Sequence, residues 1–136
     1  MKKIALLLTT IAAIFFTTEA YAQQKGQNIE PVPFQLVDEK PSFDGGDINN
    51  FTKWICTKIL YPEVAKAKQI EGRVVVQFVV DEKGKVRNVK VVKGVHESLD
   101  QEAIRVISKS PKWTPGEQNG KAVPVMITAP VNFYIR

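Results

Sequence analysis

Few side chains in this chain of 136 residues could act as nucleophiles, bases or metal ligands. There is one histidine, His96, and one cysteine, Cys56. A nucleophile needs a neighbouring base, and a metal needs several converging histidine, cysteine or carboxylate ligands. His96 lies in a turn before a predicted helix, which favours a surface or packing role. No paired-carboxylate site, P-loop or glycine-rich dinucleotide motif is present. The sequence therefore predicts a protein that is not an enzyme and binds no metal or cofactor.

The N-terminus resembles a secretory signal peptide. Lys2 and Lys3 precede an apolar stretch from Ile4 to Phe16, and Ala20-Tyr21-Ala22 provides a cleavage site between small residues. We predict a signal peptide at residues 1–22. The alternative is an uncleaved anchor, although a membrane-spanning helix needs about 20 apolar residues. The net charge of +5 would suit nucleic acid, but export removes that partner. Export also makes Cys56 a candidate for a cross-link between two chains, whereas its place in an apolar pattern predicts a buried thiol.

Residues 23–40 are predicted to form a short polar leader, with an extended segment at residues 34–37. A domain then follows over residues 41–136. Asp47 can cap a helix whose apolar residues recur at helical spacing and which stops before Pro62. Pro62 can open a second short helix with an inward face. The members of that face are Val64, Ala65 and Ala67.

A β-hairpin and a third helix follow. After Gly72 breaks the helical pattern, residues 73–80 alternate with a period of two, residues 86–92 form a Val-rich return strand, and the loop from Asp81 to Gly84 predicts a tight turn between them. Ser98 and Gln101 match a capping box, which predicts a helix start at Ser98. Trp54 and Trp113 are expected in the core or half-buried beside it.

The last strand, over residues 122–135, has apolar residues at all odd positions, so these should face the helices. Pro124 and Pro130 are both even, so both missing N–H groups lie along one lateral edge of the strand. We therefore predict that this strand borders the sheet with its proline edge unpaired. The edge could offer backbone groups of even residues to an extended peptide, or the prolines could only protect it from aggregation. The even residues concerned are Met126, Thr128, Asn132 and Tyr134.

Several motifs, in order, resemble the TonB C-terminal domain family. They are Tyr61-Pro62-Glu63-x-Ala65-Lys66, Ile70-Glu71-Gly72-Arg73-Val74, Leu99-Asp100-x-Glu102-Ala103, Trp113-x-Pro115-Gly116 and Gly120-Lys121-x-Val123-Pro124-Val125. A preceding Pro41-Ser42-Phe43-Asp44-Gly45-Gly46 is similar to the lead-in of Bacteroidetes-type members, with Asp44 where proline is more usual. The resemblance implies an α+β fold: a small antiparallel sheet, made of a hairpin plus a C-terminal edge strand, with two to three helices on one face.

The resemblance also implies a function in the periplasm. The best-known members add the TonB box of an outer-membrane transporter as a strand beside their last strand. Transferred by position, the partner-binding residues are Tyr61, Pro62, Val125, Met126, Ile127, Thr128, Asn132 and Phe133. The transporter is the implied partner, and an ExbB/ExbD-type inner-membrane complex is a second one if the chain is tethered.

The chain differs from full-length members because it has no long Pro-rich linker. A leader of some 20 residues reaches only about 60–70 Å when fully extended. Three roles remain open: a transporter-binding module in the periplasm, a short energy transducer tethered to the inner membrane, and a structural domain that forms a homodimer through its own edge.

Overall fold

A computed structural model describes residues 29–136, so the predicted signal peptide and the beginning of the leader lie outside the described residues. The compact unit spans Pro31–Arg136 and thus includes residues that the sequence assigns to the leader. Its elements within the described range are β1 (Val32–Pro33), α1 (Ile48–Lys58), α2 (Glu63–Ala67), β2 (Gly72–Val80), β3 (Val86–Lys93), α3 (Glu97–Ser108), β4 (Gly116–Gln118), β5 (Lys121–Val123) and β6 (Val125–Phe133).

The main sheet has the strand order β1-β6-β2-β3, and β4 and β5 form a separate two-stranded hairpin. β6 pairs antiparallel with β2 along its whole length, from Val125 opposite Val80 to Phe133 opposite Gly72.

The strand predicted over residues 122–135 is divided at Pro124 into β5 and β6. The odd residues of β6 are buried, as predicted, in a core shared with β2, α1 and α3, whereas Val123 and Ile135 are half-buried. The α+β class is therefore confirmed, with three helices within the described residues.

The sheet is mixed, which corrects the predicted small antiparallel sheet at one border, where β6 is not the outermost strand. β1 pairs in parallel with the start of β6, at Val125 and Met126. The extended segment predicted at residues 34–37 is a turn, and the strand lies just before it. A strand of two residues is too short to show an alternating pattern. The sequence therefore carries no periodic signal for β1, and the extended segment was predicted too late in the leader.

Of the two predicted helix caps, the one at Asp47 is confirmed and the one at Ser98 is not. Asp47 caps α1 by accepting a hydrogen bond from the Asn49 N–H at 2.9 Å. The capping box predicted at Ser98 and Gln101 is wrong: the N-cap of α3 is His96, two residues earlier, whose ring accepts from the Ser98 N–H, and the Gln101 side chain bonds Glu97 instead. His96 thus has a local structural role.

Three side chains predicted to face inward are exposed: Cys56, Val64 and Ala67. Cys56 follows the buried Ile55 in α1, and a step of one residue turns a helical side chain by about 100°. α2 has only five residues and buries one of them, Ala65. A helix of little more than one turn can bury only a narrow face, so it cannot bury all three of the residues predicted to point inward.

An aromatic cluster connects the turn between β2 and β3 to α1. The Trp113 ring centroid is 4.8 Å from that of Phe51 and 5.3 Å from that of Phe43. Trp113 is buried and Trp54 is half-buried, as predicted. The Trp113 backbone N–H also donates to the Gly84 carbonyl at 2.8 Å. Gly84 has a φ of +85°, and a Cβ there would lie 2.0 Å from the Trp113 carbonyl oxygen. Glycine is thus needed both for the turn and for this close approach.

Replacing Gly84 with alanine should therefore destabilise the domain strongly. Gly120→Ala is the matched control, since Gly120 has a φ of +77° but no neighbour within 4 Å of an added Cβ. We expect Gly120→Ala to cost about 1 kcal/mol for the left-handed backbone, and Gly84→Ala to cost a further ~2 kcal/mol for the clash. Urea unfolding followed by tryptophan fluorescence measures both. Equal losses in the two variants would contradict the proposed close packing of Gly84 on Trp113.

Candidate functional site

The outer edge of β6 is defined by which of its residues bond to β2. Pro130 lies opposite Val75 and has no N–H, so this pair cannot exchange two hydrogen bonds. In an antiparallel ladder the bonded and non-bonded pairs alternate, so the even residues of β6 direct their backbone groups away from β2. The Met126 carbonyl confirms this direction, since it accepts from Phe34 on the outer side.

β1 covers only the beginning of that edge. The Val32 N–H donates to the Pro124 carbonyl at 2.9 Å, and the Phe34 N–H donates to the Met126 carbonyl at 3.1 Å. The chain then turns away, with the N–H groups of Leu36 and Val37 both donating to the Pro33 carbonyl. Within residues 29–136, no strand pairs with the edge beyond this turn. We call the uncovered part, from Thr128 to Tyr134, the free edge.

A cavity of about 320 Å³ lies where β1 leaves β6. It is lined by Phe34 and Gln35 from the turn, Ile48 from α1, and Met126 and Thr128 from β6, among others. Its wall is mostly apolar, and its position is in line with the edge. An extended chain that paired with the free edge could place one side chain there.

The partner-binding residues predicted on β6 fall into two groups. Val125, Ile127 and Phe133 have buried side chains in the core, and of these only Ile127 lines the cavity. Thr128 and Asn132 are exposed on the free edge, while Met126 is half-buried beside β1. The binding potential of this edge therefore resides in the even residues and in backbone groups.

Tyr61 and Pro62, the other two predicted residues, lie near the far end of β6. The Tyr61 ring meets the Phe133 ring edge to face, with centroids 5.7 Å apart. Its hydroxyl donates to the Ile70 carbonyl. Partial burial raises the pKa of the Tyr61 hydroxyl, and the negative charge of Glu71 raises it further. Tyr61 is thus fixed in place and neutral, and the adjacent Leu60 is 69% exposed.

Glu102 holds this segment against α3. Its carboxylate accepts from the Leu60 N–H at 2.7 Å and from the Arg105 Nε at 2.6 Å. Burial alone would raise the pKa of Glu102, but the hydrogen bonds from Arg105 and Leu60 and the charges of Arg105 and Lys109 outweigh it and lower the pKa. In the sequence, Glu102 stands out only as a member of the motif Leu99-Asp100-x-Glu102-Ala103. Its hydrogen bond to Leu60 joins residues 42 positions apart in the chain, and no local sequence pattern predicts a contact at that distance.

These features suit a domain that binds protein chains. The described residues contain no group of three His, Cys, Asp or Glu side chains that could hold a metal. They also contain no helix of the length and apolarity needed to traverse a bilayer. The site combines the outward backbone groups of the free edge, the apolar cavity beside Phe34, and the segment that holds Tyr61 against Phe133.

Comparisons with known proteins identify the family. The family described as the Gram-negative bacterial TonB protein C-terminal matches residues 57–135. The fold resembles a solution structure of the Helicobacter pylori TonB C-terminal domain, with 26% identity, a TM-score of 0.53 and coverage of 65% of this chain and 80% of that one. It also resembles the Pseudomonas aeruginosa TonB C-terminal domain, with 26% identity, a TM-score of 0.51 and coverage of 76% and 93%. No curated protein sequence matches significantly.

The chain therefore belongs to the TonB C-terminal domain family. Domains of this family are non-enzymatic, periplasmic protein-interaction domains associated with transport. They interact with TonB-dependent outer-membrane transporters.

The environment of Glu102 predicts how stability should depend on pH. A carboxyl group whose pKa is lowered by folding stabilises the fold fully above its ordinary pKa of 4.5, and loses that contribution as the pH falls through the lowered value. Glu102→Gln should therefore be less stable than the parent at pH 7, and the difference should shrink steadily below pH 4.5. Urea unfolding at a series of pH values measures this.

Glu97→Gln is the control, because Glu97 is an exposed carboxylate on the same helix. It should change stability little at any pH. A stability loss in Glu102→Gln that stays constant from pH 7 to pH 3 would show that the ionised carboxylate is not what holds the Leu60 segment.

Proposed function

We propose that this protein is an exported, periplasmic TonB-like module that binds an extended, TonB-box-like segment of an outer-membrane transporter by adding it as a strand to the free edge of β6. The observation that carries the proposal is the uncovered row of outward backbone groups between Thr128 and Tyr134. Family membership supports the class of partner, and the edge geometry supports the mode of binding.

The hydrogen-bonding capacity of the free edge limits the length of the added strand. Thr128 and Asn132 each offer an N–H and a carbonyl outward, whereas Pro130 between them offers only a carbonyl. Such an edge suits a short visiting strand of a few residues. Each backbone hydrogen bond contributes a net 0.5–1.5 kcal/mol or so, so additional side-chain contacts are needed for useful affinity.

Two features at the ends of the free edge can supply those contacts. The apolar cavity beside Phe34 lies at one end. At the other end, Tyr61 packs on Phe133, and Leu60 and Tyr134 are exposed by 69% and 59%. Exposed apolar side chains around a rigid loop are typical of contact surfaces. Tyr61 and Pro62 therefore join Thr128 and Asn132 in the proposed site.

Export and cleavage at residues 1–22, followed by a leader that ends before the compact unit at Pro31, complete the proposal. If the N-terminal segment instead stays in the inner membrane, the same edge would serve a short energy transducer acting with an ExbB/ExbD-type complex. The mature N-terminus, measured by mass spectrometry after membrane fractionation, separates these two forms. A soluble species starting at Gln23 excludes the tethered one.

Thr128→Pro should weaken binding of a transporter peptide without disturbing the β2–β6 ladder. The Thr128 N–H points outward, so proline removes a donor that only the visitor would use. Thr128→Ala removes the same side chain but keeps the N–H, and is the matched control. We expect a loss of affinity of roughly tenfold for Thr128→Pro, since one backbone hydrogen bond is lost, and little change for Thr128→Ala. Titration of the isotope-labelled chain with TonB-box peptides, followed by amide shifts, measures both.

The proposal requires the largest shifts at residues 128–134. If these amides stay unmoved at high peptide concentration, strand addition at this edge is wrong. Sedimentation velocity of the free chain tests the rival use of the edge, a homodimer. A dimer that Thr128→Pro dissociates would favour self-pairing over transporter binding.

A further inference from the structure

β1 already occupies part of the edge that a longer visiting strand would need. It uses the carbonyls of Pro124 and Met126, and both lie on the same outward row as the groups of Thr128 and Asn132. We propose that β1 is a displaceable internal strand that competes with the partner for the first part of the β6 edge. This inference rests on the proposed function and adds to it a built-in limit on partner length.

A partner cannot avoid this competition by adding to the outer side of β1. The N–H groups of Val32 and Phe34 point toward β6. The backbone groups of Pro31 and Pro33 point to the opposite side, away from β6, because lateral direction alternates along a strand. Neither proline has an N–H. The outer side of β1 therefore presents no donors at these two positions, and the Pro33 carbonyl already accepts from Leu36 and Val37. A longer visitor has to take the place of β1 or stop at Thr128.

β1 is held by two hydrogen bonds and by Val32 and Phe34, whose half-buried side chains pack against the core. It pairs over only two residues, and Val32 is half-buried while Pro33 is exposed. Upstream, Ile29 is 51% exposed. Segments with little buried apolar surface and few hydrogen bonds open at low free energy. β1 can thus leave the edge without unfolding the core.

The chain just after β1 is held much more firmly. Val37 and Phe43 are each only 4% exposed. Asp38 hydrogen-bonds the β4–β5 hairpin twice, through its N–H to Gln118 and its carboxylate to the Asn119 N–H, both at 2.9 Å. β1 is therefore tethered a few residues from its own site. Such a tether gives a high effective concentration, so β1 returns whenever the edge is vacated.

The expected consequence is a dependence on peptide length. A peptide that covers only the free edge should bind without regard to β1. A longer peptide, one that reaches Val125, can pair along its full length only with the open form, so the affinity of that full-length pairing is reduced in proportion to the fraction of molecules in which β1 is open. If β1 is docked in roughly 90–99% of molecules, the reduction is about 10- to 100-fold.

Two opposite changes test the inference. Val32→Pro removes the donor to the Pro124 carbonyl and should release β1, while Val32→Ala keeps that N–H and controls for the side chain. Conversely, Pro33→Cys with Met126→Cys, in a Cys56→Ser background, places two thiols at directly paired positions, where a disulfide can lock β1. The same protein after reduction is the control for the lock.

A short and a long TonB-box peptide are titrated against each variant. Val32→Pro should bind the long peptide about tenfold more tightly than the parent does, and also more tightly than Val32→Ala does. The affinity for the short peptide should be the same in all three proteins. The oxidised double-cysteine protein should bind the long peptide no better than the short one, and reduction should restore the difference. Should Val32→Pro fail to fold, as judged by its core amide signals, the lock decides alone.

Other results separate the two ideas. If the long peptide binds the locked and reduced proteins equally, β1 does not compete and the inference fails, while strand addition at the free edge stands. The inference also fails, with strand addition intact, if the Val32 and Phe34 amides stay unmoved at saturation with the long peptide. If neither peptide binds any variant, the proposed function is wrong and the inference falls with it.

Discussion

Alternation along β6 is the constraint on which the rest of this domain depends. In a strand, side chains and lateral backbone groups both change direction at every residue, so packing and hydrogen bonding are tied together. The odd residues of β6 fill the core beneath the helices. Because Pro130 must avoid the ladder to β2, the even residues direct their backbone groups to the opposite edge. A shift of one residue would bury the even side chains and also bring a proline against β2.

The two borders of the sheet are protected in different ways. β3, at one border, carries Arg87, Lys90 and Lys93 and no acidic residue, and charged side chains discourage pairing with another chain. The β6 side instead has prolines on the outward row and a two-residue strand over its beginning. The positive charge on β3 repels a second copy of the same strand, whereas a short cover leaves a defined part of the β6 edge accessible. The difference between the borders is what makes the free edge a candidate site.

The sequence predicted the parts of this arrangement that repeat or that rest on local chemistry. The period of two in β2 and β6 and the cap at Asp47 were all confirmed. What it could not predict depends on contacts between distant parts of the chain. Glu102 meets a backbone N–H 42 residues away, and β1 meets β6 across more than 90 residues. Cys56 was misplaced for another reason, because an apolar neighbourhood in a helix does not specify which side chain turns outward.

β1 also bears on whether prolines would prevent a strand from pairing with this edge. Pro124 lacks an N–H, yet it contributes to pairing because its carbonyl accepts from Val32. A proline on the outward row therefore removes a donor without removing the acceptor that a neighbouring strand can use. The same reasoning applies to Pro130, whose carbonyl lies between the outward groups of Thr128 and Asn132. Protection of the edge and binding at the edge are thus compatible: the prolines reduce the number of bonds available to any chance neighbour, and a partner with suitable side chains can still use those that remain.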